Sequence, residues 1–326
     1  MFAIECDSHG WPRKLELSEV RKPLPQPGQL LVKVRAAGVN FADMLVMEGA
    51  YQEKLEPPFI PGAELVGTVV EVGADVTGFT VGDQIISQVP SGAFAEYAIV
   101  EASRAVKTPV AMDIRDAAGF YIAYGTAYCG LMRRARFQTL ETVLVTGAGG
   151  GVGRATVDIT AALGGTPLAI AGGKERRDDL LRIGAEAVFD REPDELRQKV
   201  MDATCGKGVD IALDVVGGET TRQLVRCLAF EGRLLLVGFA AGNAASLPAN
   251  HLLVKNVDVS GFYWGPYQSR FLEETRRSFD HLFQLYADGK LHPQPALSFP
   301  IDRINDAYTA LLERKHSGKI ILEVSP

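Results

Sequence analysis

Cysteine is scarce in this chain, with only four among 326 residues, and no two of them form a CxxC pair. Cys6, Cys129, Cys205 and Cys227 are far apart, which is typical of reduced thiols in a cytoplasmic protein. No run of 18 or more apolar residues occurs, so we expect no membrane-spanning helix. The first residues lack a basic segment followed by an apolar stretch, and we therefore expect no signal peptide.

Positive charge is in the minority, with 34 Lys and Arg against 40 Asp and Glu and a net charge of −6. This acidic balance disfavours broad binding to nucleic acids. Two local basic clusters oppose the trend. We interpret the cluster at 133–136 as a solvated helix end, whereas the cluster at 174–177 is placed to reach a charged ligand.

The length of the chain predicts two domains, and the hydrophobic pattern changes along it accordingly. Residues 1–110 contain short strands broken by Gly and Pro turn signals, such as the alternating stretch QLLVKVRA at 29–36. This part of the chain is predicted to form an all-β barrel or sandwich.

A regular alternation of strands and helices begins after a predicted helix over 113–135. The expected strands are 142–146, 166–171, 187–189, 209–214, 233–237 and 257–262, and the expected helices are 153–163, 176–183, 193–203 and 220–227. This alternation predicts a parallel, doubly wound sheet.

The last part of the chain departs from that alternation. It is predicted to hold an amphipathic helix over 270–285 and a tail with a strand, a helix over 304–314 and a strand over 319–324. The simplest arrangement returns these pieces to the first domain. We therefore predict one domain over 122–265, inserted into another that is formed by 1–121 and 266–326.

The most informative segment is the glycine-rich stretch TGAGGGVG at 146–153. Gly147, Gly150 and Gly153 are three apart, follow an apolar strand and precede a helix, as in a dinucleotide-binding fingerprint. A pyrophosphate must approach the backbone N–H groups closely, which excludes side chains, and the helix N-terminus supplies partial positive charge. The inserted domain is therefore predicted to bind a dinucleotide.

The end of the second strand of that domain indicates which dinucleotide is bound. NAD-selective sites usually place Asp or Glu there, to accept from the ribose hydroxyls. This chain has Gly172 and Gly173, followed by Lys174 and Arg176, and Arg191 follows the third strand. Cations at these positions fit a 2′-phosphate, so we predict that the cofactor is NADPH.

Several further motifs run through the chain: AGVNFAD at 37–43, PGAELVG at 61–67, VGD at 81–83, GAFAEY at 92–97 and GK at 318–319. With the glycine-rich loop, they make the sequence resemble the medium-chain dehydrogenase/reductases, and among these the zinc-free quinone oxidoreductase (zeta-crystallin-like) branch. The resemblance covers nearly the whole chain. It implies a GroES-like, β-rich substrate domain and a Rossmann domain that binds NADPH.

The zinc ligands of related alcohol dehydrogenases are missing. Those enzymes carry Cys near the position of Asn40, His at the position of Ala63 and a four-cysteine lobe for a second zinc. Asn and Ala cannot replace a thiolate and an imidazole as ligands, and the five His residues of this chain are scattered. We therefore expect no bound metal.

The resemblance also implies contacts to the cofactor. Asn40 would lie beside the nicotinamide, Thr126 under the nicotinamide ribose and ring, and Gly151 and Val152 at the pyrophosphate. The other residues that it implies are Gly150, Gly172, Gly173, Lys174, Arg176, Arg191, Gly238, Phe239, Phe262, Tyr263, Trp264 and Arg314.

The expected chemistry is hydride transfer to an acceptor that needs no Lewis acid, such as a quinone or a conjugated enone. Asn40 and Tyr51 are the catalytic candidates, with the Tyr51 hydroxyl as proton donor or substrate-orienting group. The alternative for Tyr51 is a partly buried aromatic side chain that lines the cleft. We expect Asp43 to order the Asn40 loop through a backbone hydrogen bond.

The predicted function is therefore that of an NADPH:quinone oxidoreductase. One alternative is an enoyl-thioester reductase, which would need a basic rim for the phosphates of CoA. Another is a non-catalytic NADPH-binding structural or RNA-binding protein, which the acidic charge disfavours. A homodimer is expected, because the strand at 257–262 is predicted to be a sheet edge that can pair across a two-fold axis.

Overall fold

The computed structural model describes residues 1–10, 14–190, 193–293, 295–314 and 316–324. The chain folds into two compact units. The first is formed by Met1–Ile122 and Pro293–Pro326, and the second by Ala123–His292. The second unit is thus inserted into the first.

The elements fall into three consecutive groups. The first contains β1 (Phe2–Ile4), β2 (Leu17–Glu19), β3 (Gln29–Val39), α1 (Phe41–Glu48), β4 (Glu64–Val72), β5 (Gln84–Gln88), β6 (Tyr97–Glu101), β7 (Val106–Lys107) and α2 (Ile114–Ala118). The second contains α3 (Phe120–Cys129), β8 (Thr142–Val145), α4 (Gly151–Ala162), β9 (Thr166–Ile170), α5 (Lys174–Arg182), β10 (Ala187–Phe189), α6 (Pro193–Ala203), β11 (Val209–Asp214), α7 (Glu219–Cys227), β12 (Leu228–Leu236), α8 (Ala249–Lys255), β13 (Asp258–Gly261), α9 (Trp264–Arg270) and α10 (Leu272–Ala287). The third contains β14 (Leu297–Pro300), α11 (Ile304–Glu313) and β15 (Ile320–Glu323).

The first unit is built on a seven-stranded sheet with β3 at its centre. β3 pairs antiparallel with β4, β6 and β15, so the C-terminal tail of the chain completes the sheet of the N-terminal segment. This confirms the predicted β-rich domain. The sequence pattern missed α1, an eight-residue helix between Asn40 as N-cap and Gly49, which ends it in the left-handed conformation.

The second unit contains a six-stranded sheet in the order β10-β9-β8-β11-β12-β13, with every neighbouring pair parallel. This is the doubly wound order of Rossmann sheets, and it confirms the predicted fold class. The strand order reverses between β8 and β11, where such sheets bind ligands at the carboxyl ends of the strands. As predicted, β13 is an edge strand.

The second domain boundary differs from the predicted one, because the chain divides between residues 292 and 293 rather than between 265 and 266. Helix α10 packs within the second unit: the Phe279 ring contacts Trp264 edge-on, and His281 Nδ1 lies 2.6 Å from the Tyr128 hydroxyl oxygen. The periodicity of an amphipathic helix predicts that one face is buried, but it does not predict which domain that face packs against.

The long helix predicted over 113–135 is also divided. Gly119 separates α2 from α3, and a single π-helical turn over Gly130–Arg134 follows α3. A Cβ atom at Gly119 would lie 2.4 Å from Cγ of Lys319, so a glycine is required at this position to leave room for that side chain. No helix in the described part of the chain combines the length and apolarity needed to cross a membrane.

Candidate active site

The glycine-rich loop connects β8 to α4 at the point where the strand order reverses. A Cβ atom at Gly153 would lie 2.3 Å from the carbonyl oxygen of Gly147, so the loop and the helix meet backbone to backbone. Gly150 is the N-cap of α4, and Gly151 and Val152 are its first two residues. Free N–H groups at such a helix N-terminus are suited to a pyrophosphate.

A cation lies against this loop. Arg176 is in the first turn of α5 and is half-buried. A Cβ atom at Gly149 would lie 2.4 Å from its Cδ, and one at Gly173 would lie 3.6 Å from its Nη2. The arginine side chain therefore crosses the loop, while Lys174 is exposed at the start of the same helix and Gly172 is unobstructed. This arrangement fits a dinucleotide that carries an extra phosphate.

A buried carboxylate fixes the neighbouring strand end. Asp214, the last residue of β11, is fully buried and accepts hydrogen bonds from the hydroxyls of Thr146 and Thr221, both at 2.6 Å. It also accepts from the backbone N–H groups of Val216 and Gly217. It thereby ties together the ends of the two strands at the switch point. Asp214 is not among the residues predicted for the site, although an Asp that ends a buried apolar strand is a usable signal.

The predicted nicotinamide-side residues of the second unit differ in exposure. Thr126 in α3 is buried, and Phe262 and Trp264, which follow β13, are buried too. Tyr263 is 40% exposed and Phe239, after β12, is 44% exposed. Trp264 packs against Phe279 and its neighbours, so its ring belongs to the core of this unit.

Beside Tyr263 there is a cavity of about 550 Å³ with a basic rim. Among the described residues, no carboxylate forms an ion pair with the rim arginines. Arg133 and Arg134 are exposed at a helix end, as predicted, but they also line this cavity. The lining residues are Arg133, Arg134, Gly261, Phe262, Tyr263, Pro266, Tyr267, Arg270 and Phe271.

In the first unit, Asn40 belongs to a buried polar cluster. Lys319 Nζ lies 2.7 Å from Glu64 Oε2 and donates to Asn40 Oδ1 at 2.5 Å. Asn40 Nδ2 donates to the carbonyl oxygen of Gly38 at 3.1 Å and to Glu64 Oε2 at 3.4 Å. Glu64 is fully buried, and its Oε1 accepts from the backbone N–H of Ile122 at 2.7 Å.

Asp43 completes this cluster and orders the Asn40 loop, as predicted. The backbone N–H of Asn40 donates to Asp43 Oδ2 at 2.8 Å, and the Asp43 backbone N–H donates to the backbone carbonyl oxygen of Asn40 at 3.1 Å, at the start of α1. Burial raises the pKa of Asp43 to about 7, although the hydrogen bond from Asn40 and the Lys319 ammonium oppose the shift. Glu64 and Lys319 are not among the residues predicted for the site, although a charged residue beside an apolar strand is a visible signal.

Tyr51, Arg314 and Arg191 are three further residues predicted for the site. Tyr51 follows the C-terminal end of α1, whereas Asn40 precedes its start, and a helix of eight residues is about 12 Å long. The structure therefore does not bring these two backbones together. Arg314 is exposed at the C-cap of α11, and Arg191 lies outside the described residues. In the described ranges, no group of three or more His, Cys, Asp or Glu side chains could hold a metal ion.

The fold and these sites define a two-domain, nucleotide-dependent oxidoreductase. Residues 26–110 match the alcohol dehydrogenase GroES-like domain, and residues 151–280 match the zinc-binding dehydrogenase family. The quinone oxidoreductase-like protein 2 homolog of Nematostella vectensis is 37% identical over 322 residues, covering 98% of this chain and 88% of that protein. The chain therefore belongs to the medium-chain dehydrogenase/reductase superfamily, in its quinone oxidoreductase branch.

Two further comparisons bear on ligands. The quinone oxidoreductase of Thermus thermophilus, solved also in complex with NADPH, is 32% identical with a TM-score of 0.84, covering 99% of this chain and 100% of that one. An alignment of 328 positions with a polyketide synthase subunit of Mycobacterium tuberculosis is 32% identical and covers 98% of this chain and 15% of that protein. Together with the Arg176 loop, the first comparison identifies this protein as an NADPH-binding oxidoreductase.

Proposed function

We propose that this oxidoreductase transfers hydride from NADPH to a quinone or a conjugated enone without zinc. The contact of Lys319 Nζ with Asn40 Oδ1, at 2.5 Å, carries this proposal. An ammonium against that oxygen repels a metal dication, and Ala63 offers no ligand atom. Without a Lewis acid to polarise a carbonyl, hydride transfer is favoured to an acceptor that is already electron-poor.

The cofactor supplies the hydride when it is bound, and the protein binds and orients it. We propose that the start of α4 holds the pyrophosphate and that Arg176, with Lys174 and Arg191, holds the 2′-phosphate. The remaining residues proposed to contact the cofactor are Asn40, Thr126, Gly150, Gly151, Val152, Gly172, Gly173, Gly238, Phe239, Phe262, Tyr263, Trp264 and Arg314.

One proton must accompany each hydride so that a quinone becomes a hydroquinone or an enone a ketone. We propose Tyr51 as the donor of this proton or as the hydroxyl that orients the acceptor, with Asn40 as the second catalytic residue. Replacing Tyr51 by Phe separates the two roles. Loss of a proton donor lowers kcat, whereas loss of an orienting hydroxyl also raises KM for the acceptor.

The function is tested by following NADPH oxidation with a graded panel of quinones, enones and enoyl-CoA thioesters. We expect turnover with a simple naphthoquinone or an enone, and a lower kcat/KM in Asn40→Ala. Stoichiometric NADPH binding without turnover of any acceptor would contradict the proposal and favour a non-catalytic role. Filter binding at physiological salt would then test binding to RNA.

A second candidate function, reduction of an enoyl thioester, is favoured by the basic cavity and by the match to part of a polyketide synthase. The exposed arginines of its rim are the groups that the phosphates of a CoA-type carrier require. We expect Arg133→Ala with Arg270→Ala to raise KM for crotonyl-CoA and to leave KM for naphthoquinone unchanged. Equal effects on both substrates would remove the support that the cavity gives to this candidate.

We further propose a cytoplasmic homodimer. All four cysteines are free thiols, as expected for a reducing compartment. The edge strand β13 has a partly exposed Val259, at 36%, and can pair with its symmetry mate. Light scattering coupled to size-exclusion chromatography tests the dimer, and a mass of 35.2 kDa would contradict it.

A further inference from the structure

The side chain of Lys319 has a role that the hydride-transfer scheme leaves unassigned. It is 8% exposed, and its ammonium bridges Glu64 Oε2 and Asn40 Oδ1. A buried ion pair seldom increases stability over apolar residues of similar size, so its worth must be sought in what it orients. Here the oriented group is Asn40, a residue proposed to act in the reaction.

Two glycines provide the space for this lysine. A Cβ atom at Gly38 would lie 2.9 Å from Cε of Lys319 and 2.3 Å from Glu64 Oε2, and one at Gly119 would lie 2.4 Å from Cγ of Lys319. The lysine side chain therefore occupies space that a Cβ atom at either position would take. Its ammonium is placed against Glu64 Oε2 and Asn40 Oδ1.

Glu64 keeps the charge of that ammonium in place. Its carboxylate is fully buried. Oε1 accepts a hydrogen bond from the backbone N–H of Ile122, and Oε2 forms the ion pair with Lys319. A buried carboxylate without a cation is costly, so each charge requires the other. The ion pair thus holds the Lys319 ammonium in place as a hydrogen-bond donor to Asn40 Oδ1.

This donor determines which way the Asn40 amide faces. An ammonium donates hydrogen bonds and cannot accept them, so it requires the amide oxygen rather than the amide nitrogen on its side. The two hydrogens of Nδ2 then point to two acceptors, the carbonyl oxygen of Gly38 and Glu64 Oε2. A flipped amide would place N–H groups against the ammonium and an oxygen against a carboxylate.

The orientation limits what Asn40 can offer to a ligand. With both Nδ2 hydrogens engaged, the group that remains is the second lone pair of Oδ1, which accepts hydrogen bonds. Its ligand partner must then be a donor. The carboxamide N–H and the ribose hydroxyls of the cofactor are donors, whereas the carbonyl oxygen of a quinone or enone is an acceptor.

We propose that Lys319 is a positioning residue, whose ammonium fixes the Asn40 amide so that its oxygen receives a hydrogen bond from the cofactor. This inference rests on the proposed role of Asn40 and names the group that Asn40 contacts. It predicts that Lys319 affects NADPH binding through Asn40 and not independently of it.

The test is a double-mutant cycle on the dissociation constant of NADPH, measured by fluorescence titration of the full chain. Lys319→Met keeps the length of the side chain and removes the charge. We expect it to weaken NADPH binding at least tenfold in the wild-type background and less than twofold in Asn40→Ala, because the residue through which it acts is gone. Equal weakening in both backgrounds would overturn the proposal.

Two further variants keep the test decisive. Should Lys319→Met fail to fold, Glu64→Gln combined with Lys319→Met removes both buried charges together, and wild-type affinity in this double variant would refute the proposal. Lys107→Met is the control, because it breaks a Lys–Asp pair of the same 2.7 Å length on the surface of the same unit, and its affinity should not change. Since binding is measured without turnover, a failure of the quinone or enone assignment would be seen separately in the acceptor panel.

Discussion

Replacing Arg176 by alanine should reduce the preference for NADPH over NADH, because this guanidinium is the cation that lies against the glycine-rich loop. Its Cδ is close to the Gly149 backbone and its Nη2 is close to that of Gly173. NADH lacks the 2′-phosphate, so the substitution should leave its dissociation constant almost unchanged. The loss should therefore appear in NADPH binding alone.

The expected size of the loss follows from the burial of Arg176. Hydrogen bonds to charged groups contribute about 1.5–3 kcal/mol. Arg176 is half-buried, so its interaction is screened less than that of an exposed pair, which contributes about 0–1 kcal/mol. At about 1.4 kcal/mol for each factor of ten, the preference for NADPH should fall roughly 10- to 140-fold. The exposed Lys174 should contribute less, at most about fivefold on the same scale.

The assay is a pair of titrations, with NADPH and NADH, of the wild type, Arg176→Ala and the double variant with Lys174→Ala. Arg182→Ala is a matched control, because it removes an arginine from the same helix whose guanidinium pairs with Asp179 at 2.6 Å. Its ratio of affinities should equal that of the wild type. An unchanged ratio in the double variant would refute the assignment of the 2′-phosphate site.

Three further predictions follow from single sites. Gly153→Ala should destabilise the fold by about 1–3 kcal/mol and weaken NADPH binding, because its Cβ would overlap the Gly147 oxygen. Gly261→Ala is the control, because a Cβ there meets open space and should change neither property. Thermal unfolding with and without NADPH measures both effects. Because burial raises the pKa of Asp43 from 3.8 to about 7, its contribution to stability is complete below pH 3.8 and is lost as the pH rises to about 7. Relative to Asp43→Asn, the wild type should therefore lose about 4 kcal/mol between pH 4 and pH 8 in urea unfolding, and parallel pH curves would contradict the shift. Washing with a chelator should leave NADPH-dependent turnover unchanged, and near-stoichiometric zinc in the washed protein by metal analysis would contradict the zinc-free site.

The sequence by itself was sufficient for the sheet of the second unit and its nucleotide loop. Each strand there is a short apolar run followed by a turn and a helix, and a glycine every third residue is required where backbone approaches backbone, as Gly153 and Gly147 do. Such patterns are local, so they can be interpreted without knowing which distant residues the segment contacts. The missing zinc ligands at Asn40 and Ala63 were equally visible, because ligand chemistry depends on residue type.

Other features depended on contacts between distant parts of the chain. Helix α10 joins the second unit because Phe279 and His281 meet partners at Trp264 and Tyr128, which its own periodicity does not specify. The orientation of the Asn40 amide likewise depends on Lys319, a residue 279 positions away. The sequence determined the residue types at the site and the local elements that hold them, whereas only the tertiary structure decided which charge lies beside which amide, because electrostatic neighbours are set by packing and not by spacing along the chain.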